Sequence, residues 1–278
     1  MEATAWIRVV IFIAVMLSAC YSDRLYREVS DIHWWIIGVS GAVLIVVDGG
    51  ISVTTVMAAV GCLLIVYDIL SQSEKPAFFY AILHIAEAAM FLIPILIMKN
   101  ISEGYLAIPV YYVLFYVLYV TGILRGGADA KCMIVSSIMF LSAPAVIDTL
   151  ISVPARVGSF PLFPLSLLFH AALITLIYML FCCLRTTITA HGEVGFRPWR
   201  LMNVDDAEKA FAWPKQDIEK GKKVFVRGIP DDGVYDRLRS AGEEEVWVTP
   251  MIPFMIPIAL AFIFMITVGN LLYLPFSV

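Results

Sequence analysis

Apolar runs of about 20 residues recur along most of this chain, and they restrict its fold more than any other feature. We identify eight runs, at about residues 5–22, 33–48, 51–70, 78–98, 105–124, 132–152, 164–184 and 252–274. A helix of about 20 apolar residues is long enough to cross the hydrocarbon core of a bilayer. Charged residues make up 15% of the chain, against about 25% in soluble domains. The sequence therefore predicts an all-α polytopic membrane protein with about eight transmembrane helices.

Residues 185–247 differ in kind from the rest of the chain, because they hold 11 Lys and Arg and 12 Asp and Glu. The stretch VDDAEKAFAWPKQDIEKGKK indicates a short helix before Pro214, while KKVFVRGI and EEEVWVTP are typical of short strands. We expect a small α+β insertion before the last helix. The predicted domains are a seven-helix membrane catalytic domain (1–184), a soluble insertion (185–251) and the last transmembrane helix (252–278).

The distribution of lysine and arginine predicts the orientation in the membrane. With the N-terminus outside, most basic residues fall in the inside loops 23–32, 71–77, 125–131 and 185–251. The positive-inside rule assigns such loops to the cytoplasm. We therefore expect both termini outside, with the insertion and the loop 125–131 facing the cytoplasm.

Cysteine pattern and net charge argue against several kinds of site. The five cysteines form no CxxC pair and no Cys/His cluster, so they support neither a metal site nor a disulfide framework. The net charge of −4 does not suggest a nucleic-acid binder. We expect no cofactor, no metal and no nucleic-acid partner.

Carboxylates in or beside the apolar runs are candidates for function, because an ionisable group in a bilayer is expensive to place there. The candidates are Asp23, Asp48, Asp68, Glu87, Asp129 and Asp148. Glu87 lies deepest in its run and follows His84 by one helical turn, which allows either a buried polar pair or a proton or ion relay. The segment boundaries place Asp23, Asp68 and Asp129 at inside ends.

Asp23 and Asp129 are expected at the same membrane depth, because an even number of crossings, four, separates them. Two carboxyl groups close together in a low dielectric cannot both ionise easily and can share one proton. The charged member of such a pair can deprotonate a water molecule while the protonated member polarises a scissile carbonyl and later supplies a proton. Gly126 and Gly127 would leave room for an extended peptide and permit positive φ. Lys131 would anchor the loop or bias the protonation of the pair.

Three stretches carry motifs in a consistent order along the chain. They are CYSDRLYREVSD (20–31), GGADAK (126–131) and EEEVWVTPMIPFMIPI (243–258). They resemble, in turn, the first aspartate motif, the GxGDxK motif and the C-terminal Trp-Val-Thr-Pro signature of archaeal preflagellin peptidases. Those enzymes belong with bacterial type IV prepilin peptidases among the GxGD intramembrane aspartic proteases.

The resemblance implies an aspartic endopeptidase of the membrane that needs no cofactor. Its implied substrates are preflagellins (prearchaellins) or type IV pilin-like precursors, from which it removes short class III signal peptides at the cytoplasmic face. The same resemblance implies that Asp23 and Asp129 are the catalytic pair and that Gly126, Gly127 and Lys131 support the motif.

Two departures from the family pattern leave alternatives open. Ala128 stands at the third position of the glycine motif, where the family often has a small or hydrophobic residue. Four segments separate Asp23 from Asp129, where the family has about two. This indicates an extra helical hairpin, or else makes Asp68 in VYDILS the partner of Asp129, as in presenilin-type proteases. No Pro-Ala-Leu motif, which presenilin-type proteases require, follows Asp129.

Two further classes of function compete with the peptidase. Intramembrane carboxylates, among them Asp48, Asp68, Glu87 and Asp148, could line the path of a proton- or ion-coupled transporter. Against a transporter, the sequence contains no internal repeat and no paired broken helices. An inactive homologue or assembly protein would use the segment 185–247 as a docking module.

Overall fold

The structure is mostly helical and divides into two compact units. It is a computed structural model that describes residues 2–71, 75–98, 103–124, 126–141, 156–157, 160–189, 195–226, 231, 233–249 and 251–272. The first unit comprises Met1–Ala172 and Pro253–Val278, and the second comprises Leu173–Ile252. The predicted insertion 185–251 falls within the second unit.

Long apolar helices make up most of the first unit. They are α1 (Glu2–Tyr26), α2 (Ile32–Gly49), α3 (Val53–Leu70), α4 (Ala77–Met98), α5 (Glu103–Val120), α6 (Gly127–Met139), the start of α7 (Phe163–Thr189) and α10 (Met255–Thr267). A two-stranded ribbon, β1 (Arg156–Val157) with β2 (Phe160–Pro161), precedes α7. A capping box at the start of α3 shows how the sequence sets one boundary. The Ser52 hydroxyl accepts a hydrogen bond from the Thr55 backbone N–H, and the Thr55 hydroxyl accepts one from the Ser52 backbone N–H.

Five helices of the described residues are long and apolar enough to cross a membrane. They are Ala3–Tyr26, Ile32–Gly49, Val53–Leu70, Ala77–Pro94 and Phe163–Thr189, and two shorter apolar helices are Gly104–Val120 and Met255–Thr267. The predicted class, a helical multi-pass membrane protein, is confirmed, whereas the count of eight spans is not. The sixth predicted run begins within α6, and its residues 142–152, including Asp148, lie outside the described residues.

The second unit contains a small sheet and two short helices, as predicted for the region before the last helix. Its elements are β3 (Arg200–Asn203), α8 (Val204–Lys209), β4 (Trp213–Pro214), β5 (Gln216–Glu219), β6 (Lys222–Phe225), α9 (Val234–Ser240) and β7 (Glu245–Thr249). β7 lies between β3 and β4 and is antiparallel to both, while β5 and β6 form a hairpin. Val246 and Val248 alternate inward from β7 and pack with Leu238 of α9 and Ala207 of α8.

An aromatic cluster holds α1, α6 and α10 together in the first unit. The Phe12 ring centroid lies 5.2 Å from that of Phe140 and 4.6 Å from that of Phe262. Phe140 directly follows α6, and Phe262 lies within α10. The end of α1 lies beside the start of α10, because the Met255 N–H is 3.3 Å from Asp23 Oδ2.

Glycines of α2 let it approach its neighbours closely. A Cβ on Gly38 would overlap the side chain of Val66 on α3, and a Cβ on Gly41 would lie 3.0 Å from the backbone nitrogen of Met139 on α6. Small residues at helix interfaces permit such close packing in membranes. α2 therefore fixes the position of α6, which carries one of the candidate catalytic aspartates.

Candidate active site

Asp23 lies in the last turn of α1, where the sequence predicts the first catalytic aspartate. The helix continues to Tyr26, and Arg27 then adopts a left-handed φ of 56°. A left-handed residue just after the last turn is a common way to end a helix. The Arg27 N–H donates a hydrogen bond to the Asp23 carbonyl oxygen over 3.2 Å, which closes this turn.

Asp129 lies in the first turn of α6, and Gly126 precedes that helix as its N-cap. The carboxyl group of Asp129 folds back over Gly126, so that a Cβ at residue 126 would lie 2.7 Å from Asp129 Cγ. Only glycine leaves this space without moving the carboxylate. The observed orientation of the Asp129 carboxyl group therefore depends on a glycine at residue 126.

The freedom for positive φ that these glycines were expected to provide is not used at Gly126, whose φ is −88°. Gly127 is the first residue of α6 and is not among the glycines with positive φ, whereas Gly122 in the preceding turn has a φ of 75°. The difference arises because the helix begins earlier than the sixth apolar run. A Cβ on Gly127 would meet nothing closer than Tyr119 Oη at 3.7 Å.

The structure brings Asp23 and Asp129 close enough for the charge of one to act on the other. Cys20, one turn before Asp23 on α1, and Cys132, one turn after Asp129 on α6, also lie near each other. Cys132 Sγ lies 3.6 Å from Met16 Sδ in the buried contact between α1 and α6. The two helices therefore present Met16, Cys20 and Asp23 toward Asp129 and Cys132.

Two further groups lie beside the Asp23 carboxyl group. The Met255 N–H at the start of α10 donates a hydrogen bond to Asp23 Oδ2 over 3.3 Å. The guanidinium of Arg27 also interacts electrostatically with Asp23. An ionised carboxylate accepts hydrogen bonds from N–H groups and is stabilised by a neighbouring cation. The two carboxyl groups therefore have different surroundings.

Lys131 links the start of α6 to the loop that follows α1. Its Nζ donates a hydrogen bond to Asp31 Oδ1 over 2.6 Å, and both side chains are partly buried. Asp31 is the N-cap of α2. This ion pair ties the GGADAK stretch to the polar loop of the first motif.

The other candidate carboxylates lie elsewhere in the first unit. Asp48 pairs with Arg8 over 2.8 Å. Asp68 accepts a hydrogen bond from the Tyr112 hydroxyl and lies beside His84 and Glu87 rather than beside Asp129. His170, isolated in the sequence, has Nδ1 2.7 Å from the Ser166 carbonyl oxygen, which is a packing role.

Sequence reasoning missed three of these contacts. The N–H of Met255, the carboxylate of Asp31 and the hydroxyl of Tyr112 come from elements far along the chain from the residues they contact. The only sequence signal for Met255 is its place at the start of the last apolar run, since an orphan N–H is available there.

Comparisons with known proteins support the resemblance. Residues 200–271 match a family model described as Archaeal Peptidase A24 C-terminus Type II. The chain is also 24% identical over 156 residues to the preflagellin peptidase of Methanococcus voltae. That alignment covers 55% of this chain and 66% of the relative, slightly less than two thirds of its length. The prediction of a resemblance to archaeal preflagellin peptidases is thereby confirmed.

Proposed function

We propose that this chain is a membrane-embedded aspartic endopeptidase that removes short signal peptides from preflagellins or type IV pilin-like precursors. The main support is that Asp23 and Asp129, two carboxyl groups from helices far apart in the sequence, lie near enough for the charge of one to act on the other. Similarity to a preflagellin peptidase supports the substrate class. The active site and the 185–251 insertion face the cytoplasm, as the basic loops favour.

The different surroundings of the two carboxyl groups assign their roles. Asp23, beside Arg27 and the Met255 N–H, is the ionised member and deprotonates the attacking water. Asp129 has Asp23 as its charged neighbour and holds the shared proton. Two like charges this close do not both ionise readily in an apolar setting.

Peptide hydrolysis then balances with water as the only co-reactant. Asp23 takes a proton from water while the hydroxide oxygen bonds to the scissile carbonyl carbon, and Asp129 donates its proton to the carbonyl oxygen. The C–N bond breaks when a proton passes from Asp23 to the amide nitrogen. Asp129 regains its proton as the carboxylic acid product forms.

Substrate binding follows from the charges and the small residues around the pair. A short basic leader would meet the inside carboxylates, and the apolar segment that follows it would lie between helices. Gly127 and Ala128 place no bulky side chain at the start of α6, so a peptide backbone can approach Asp129 closely.

The surroundings of Asp68 favour Asp23 as the partner of Asp129. Asp68 accepts the Tyr112 hydroxyl and shares its cluster with His84 and Glu87. The presenilin-like alternative would require Asp68 to leave those groups.

Co-expression with a tagged preflagellin or type IV pilin-like precursor tests this function through the precursor's size shift. Wild type should shorten the precursor. Asp23→Asn and Asp129→Asn should each lower cleavage by at least about 10³-fold, because an amide cannot perform the proton transfer of the carboxyl group that it replaces. The amounts of Asp23→Asn and Asp129→Asn protein in the membrane should equal that of wild type.

Asp68→Asn serves as the matched variant at the rival carboxylate and should retain most of the cleavage. Loss of cleavage in Asp68→Asn, with retention in Asp23→Asn, would replace the proposed pair by the presenilin-like one. Retention in both Asp23→Asn and Asp129→Asn would reject the aspartic mechanism.

A further inference from the structure

The first unit contains a second polar cluster that the proposed peptidase does not use. Asp68 of α3 and His84 and Glu87 of α4 each offer one ligand atom, and these atoms lie within 4.8 Å of one another. His84 Nδ1 is 3.1 Å from Glu87 Oε2. The i,i+3 spacing places His84 and Glu87 on one face of α4. Helical bundles build metal sites from Glu and His at this spacing together with carboxylates of neighbouring helices.

Among the described residues, only one of the two carboxylate oxygens of Glu87 has a hydrogen-bond partner. Its side chain is 7% exposed, and among the described residues its Oε1 atom is buried without a hydrogen-bond partner. A buried carboxylate oxygen without a partner loses its hydration with no compensation. The contact between Glu87 Oε2 and His84 therefore does not account for the whole side chain, and Oε1 is available for a further ligand.

No lysine or arginine among the described residues neutralises the two carboxylates of this cluster. In the part of the chain that the structure describes, no lysine or arginine forms an ion pair with Asp68 or Glu87. Lys75 is close in sequence, but its ammonium group contacts the Tyr67 hydroxyl and lies 4.3 Å from the Phe79 ring centroid. Two carboxylates in an apolar unit are stable together only with a proton or a cation between them.

We propose that Asp68, His84 and Glu87 bind one divalent transition-metal ion of the class of Zn²⁺ or Mn²⁺. Imidazole nitrogen with carboxylate oxygens is a ligand set for such ions, and three protein ligands leave a coordination position open. This site departs from the expected absence of a metal, which rested on the cysteines. Its function is separate from that of Asp23 and Asp129.

Small side-chain movements would complete the coordination. Ligand atoms about 2.1 Å from a tetrahedral ion are about 3.4 Å apart. The 3.1 Å between His84 and Glu87 already meets this spacing. Asp68 would rotate inward, and the Tyr112 hydroxyl that donates to its Oδ2 atom would orient it.

Direct metal binding tests the proposal on the full chain, purified without a polyhistidine tag and stripped with a chelator in nanodiscs. Zn²⁺ and Mn²⁺ are titrated separately by calorimetry, and bound metal is counted after gel filtration. Wild type should bind one equivalent of at least one of these ions. Glu87→Gln and Asp68→Asn should weaken binding by at least about 100-fold, and Tyr112→Phe by about 10-fold.

His84→Gln is the variant least expected to disturb the fold, because the His84 side chain is 51% exposed. It should also weaken binding by at least about 10-fold and abolish the visible absorption of Co²⁺ bound through nitrogen. Asp48→Asn, which alters a carboxylate paired with Arg8, is the control and should bind as wild type.

No metal bound by wild type at about 1 mM free ion, or equal binding by His84→Gln and wild type, would overturn the proposal. Precursor cleavage, measured on the same preparations, reports separately on Asp23 and Asp129. Failure of the metal site is therefore distinguishable from failure of the peptidase.

Discussion

Two pairs of carboxylates come together in the membrane unit, and their surroundings differ. Asp23, at the end of α1, and Asp129, at the start of α6, lie near each other, with the Met255 N–H and Arg27 beside Asp23. Asp68 and Glu87 meet between α3 and α4, with an imidazole and a phenol as neighbours. Each pair draws its two carboxylates from two different helices.

Under the two proposals, the groups around a carboxylate pair, rather than the pair itself, decide its chemistry. A fixed N–H and a nearby cation would make one member a base and leave the other as an acid, which suits proton transfer. An imidazole nitrogen and an unpaired carboxylate oxygen suit a metal ion. The glycine at residue 126 belongs to the first kind of site, because it makes room for one carboxylate orientation.

Replacement of Gly126 should lower precursor cleavage strongly and leave metal binding unchanged, so it should distinguish the two sites most clearly. In Gly126→Ala the new methyl group would displace the carboxyl group of Asp129, whose Cγ lies 2.7 Å from the position of that Cβ. The displaced group is the end of a flexible side chain, so the fold should survive. Precursor cleavage should fall by about 10²-fold, as for a catalytic group displaced by about 1 Å.

Gly127→Ala is the matched control for that variant. Its Cβ would meet Tyr119 Oη at an ordinary contact distance of 3.7 Å, so cleavage should stay near that of wild type. Metal binding at Asp68, His84 and Glu87 should be unchanged in both variants. Equal cleavage by Gly126→Ala and Gly127→Ala would contradict the assigned role of Gly126.

Asp217 in the second unit provides a third case, a carboxylate with a full cationic partner. Arg237 donates two hydrogen bonds to it, over 2.9 and 2.6 Å, and thereby lowers the pKa of Asp217 below its usual range. A depressed pKa stabilises the fold above the unfolded pKa of about 3.9, and the stabilisation is lost as the pH falls through the folded pKa.

Asp217→Asn should therefore speed hydrogen exchange in β5 and α9 at pH 7 by about 5-fold, which corresponds to about 1 kcal/mol for an exposed ion pair. The difference from wild type should be smaller at pH 3 than at pH 7, because the stabilisation is lost as the pH falls through the lowered pKa of Asp217. Asp205→Asn, at a carboxylate that is 61% exposed, should have a smaller effect. An equal difference at both pH values would exclude the ion pair as its cause.

Periodicity and composition predicted the helical membrane class and the small α+β region before the last helix. Apolar runs locate α1 to α4 and α7 because each run must be buried in lipid or protein along its whole length. The count of eight spans is not confirmed by the structure, since α6 and α10 have 13 residues each among the described residues. A run of apolar residues does not reveal where a helix ends inside it.

The candidate sites were predictable only in part, because their geometry depends on contacts between distant elements. The even number of membrane crossings between them places Asp23 and Asp129 at the same depth. The same count also places Asp68 at that depth. The Tyr112 hydroxyl, which donates a hydrogen bond to Asp68, and the His84 imidazole, which lies within 4.8 Å of it, are 44 and 16 positions further along the chain. Helix packing, which the sequence pattern does not encode, sets which of these carboxylates lies near Asp129.

Short-range cross-linking between pairs of introduced cysteines tests most directly whether Asp129 faces Asp23 or Asp68. In a chain whose five native cysteines are replaced, Asp129→Cys is combined with Asp23→Cys in one variant and with Asp68→Cys in another. A short bifunctional thiol reagent is applied in native membranes, and linked peptides are identified by mass spectrometry. The Asp23→Cys and Asp129→Cys pair should cross-link efficiently and the other pair should not. Efficient linkage of residue 129 to residue 68, with none to residue 23, would contradict the proposed catalytic pair.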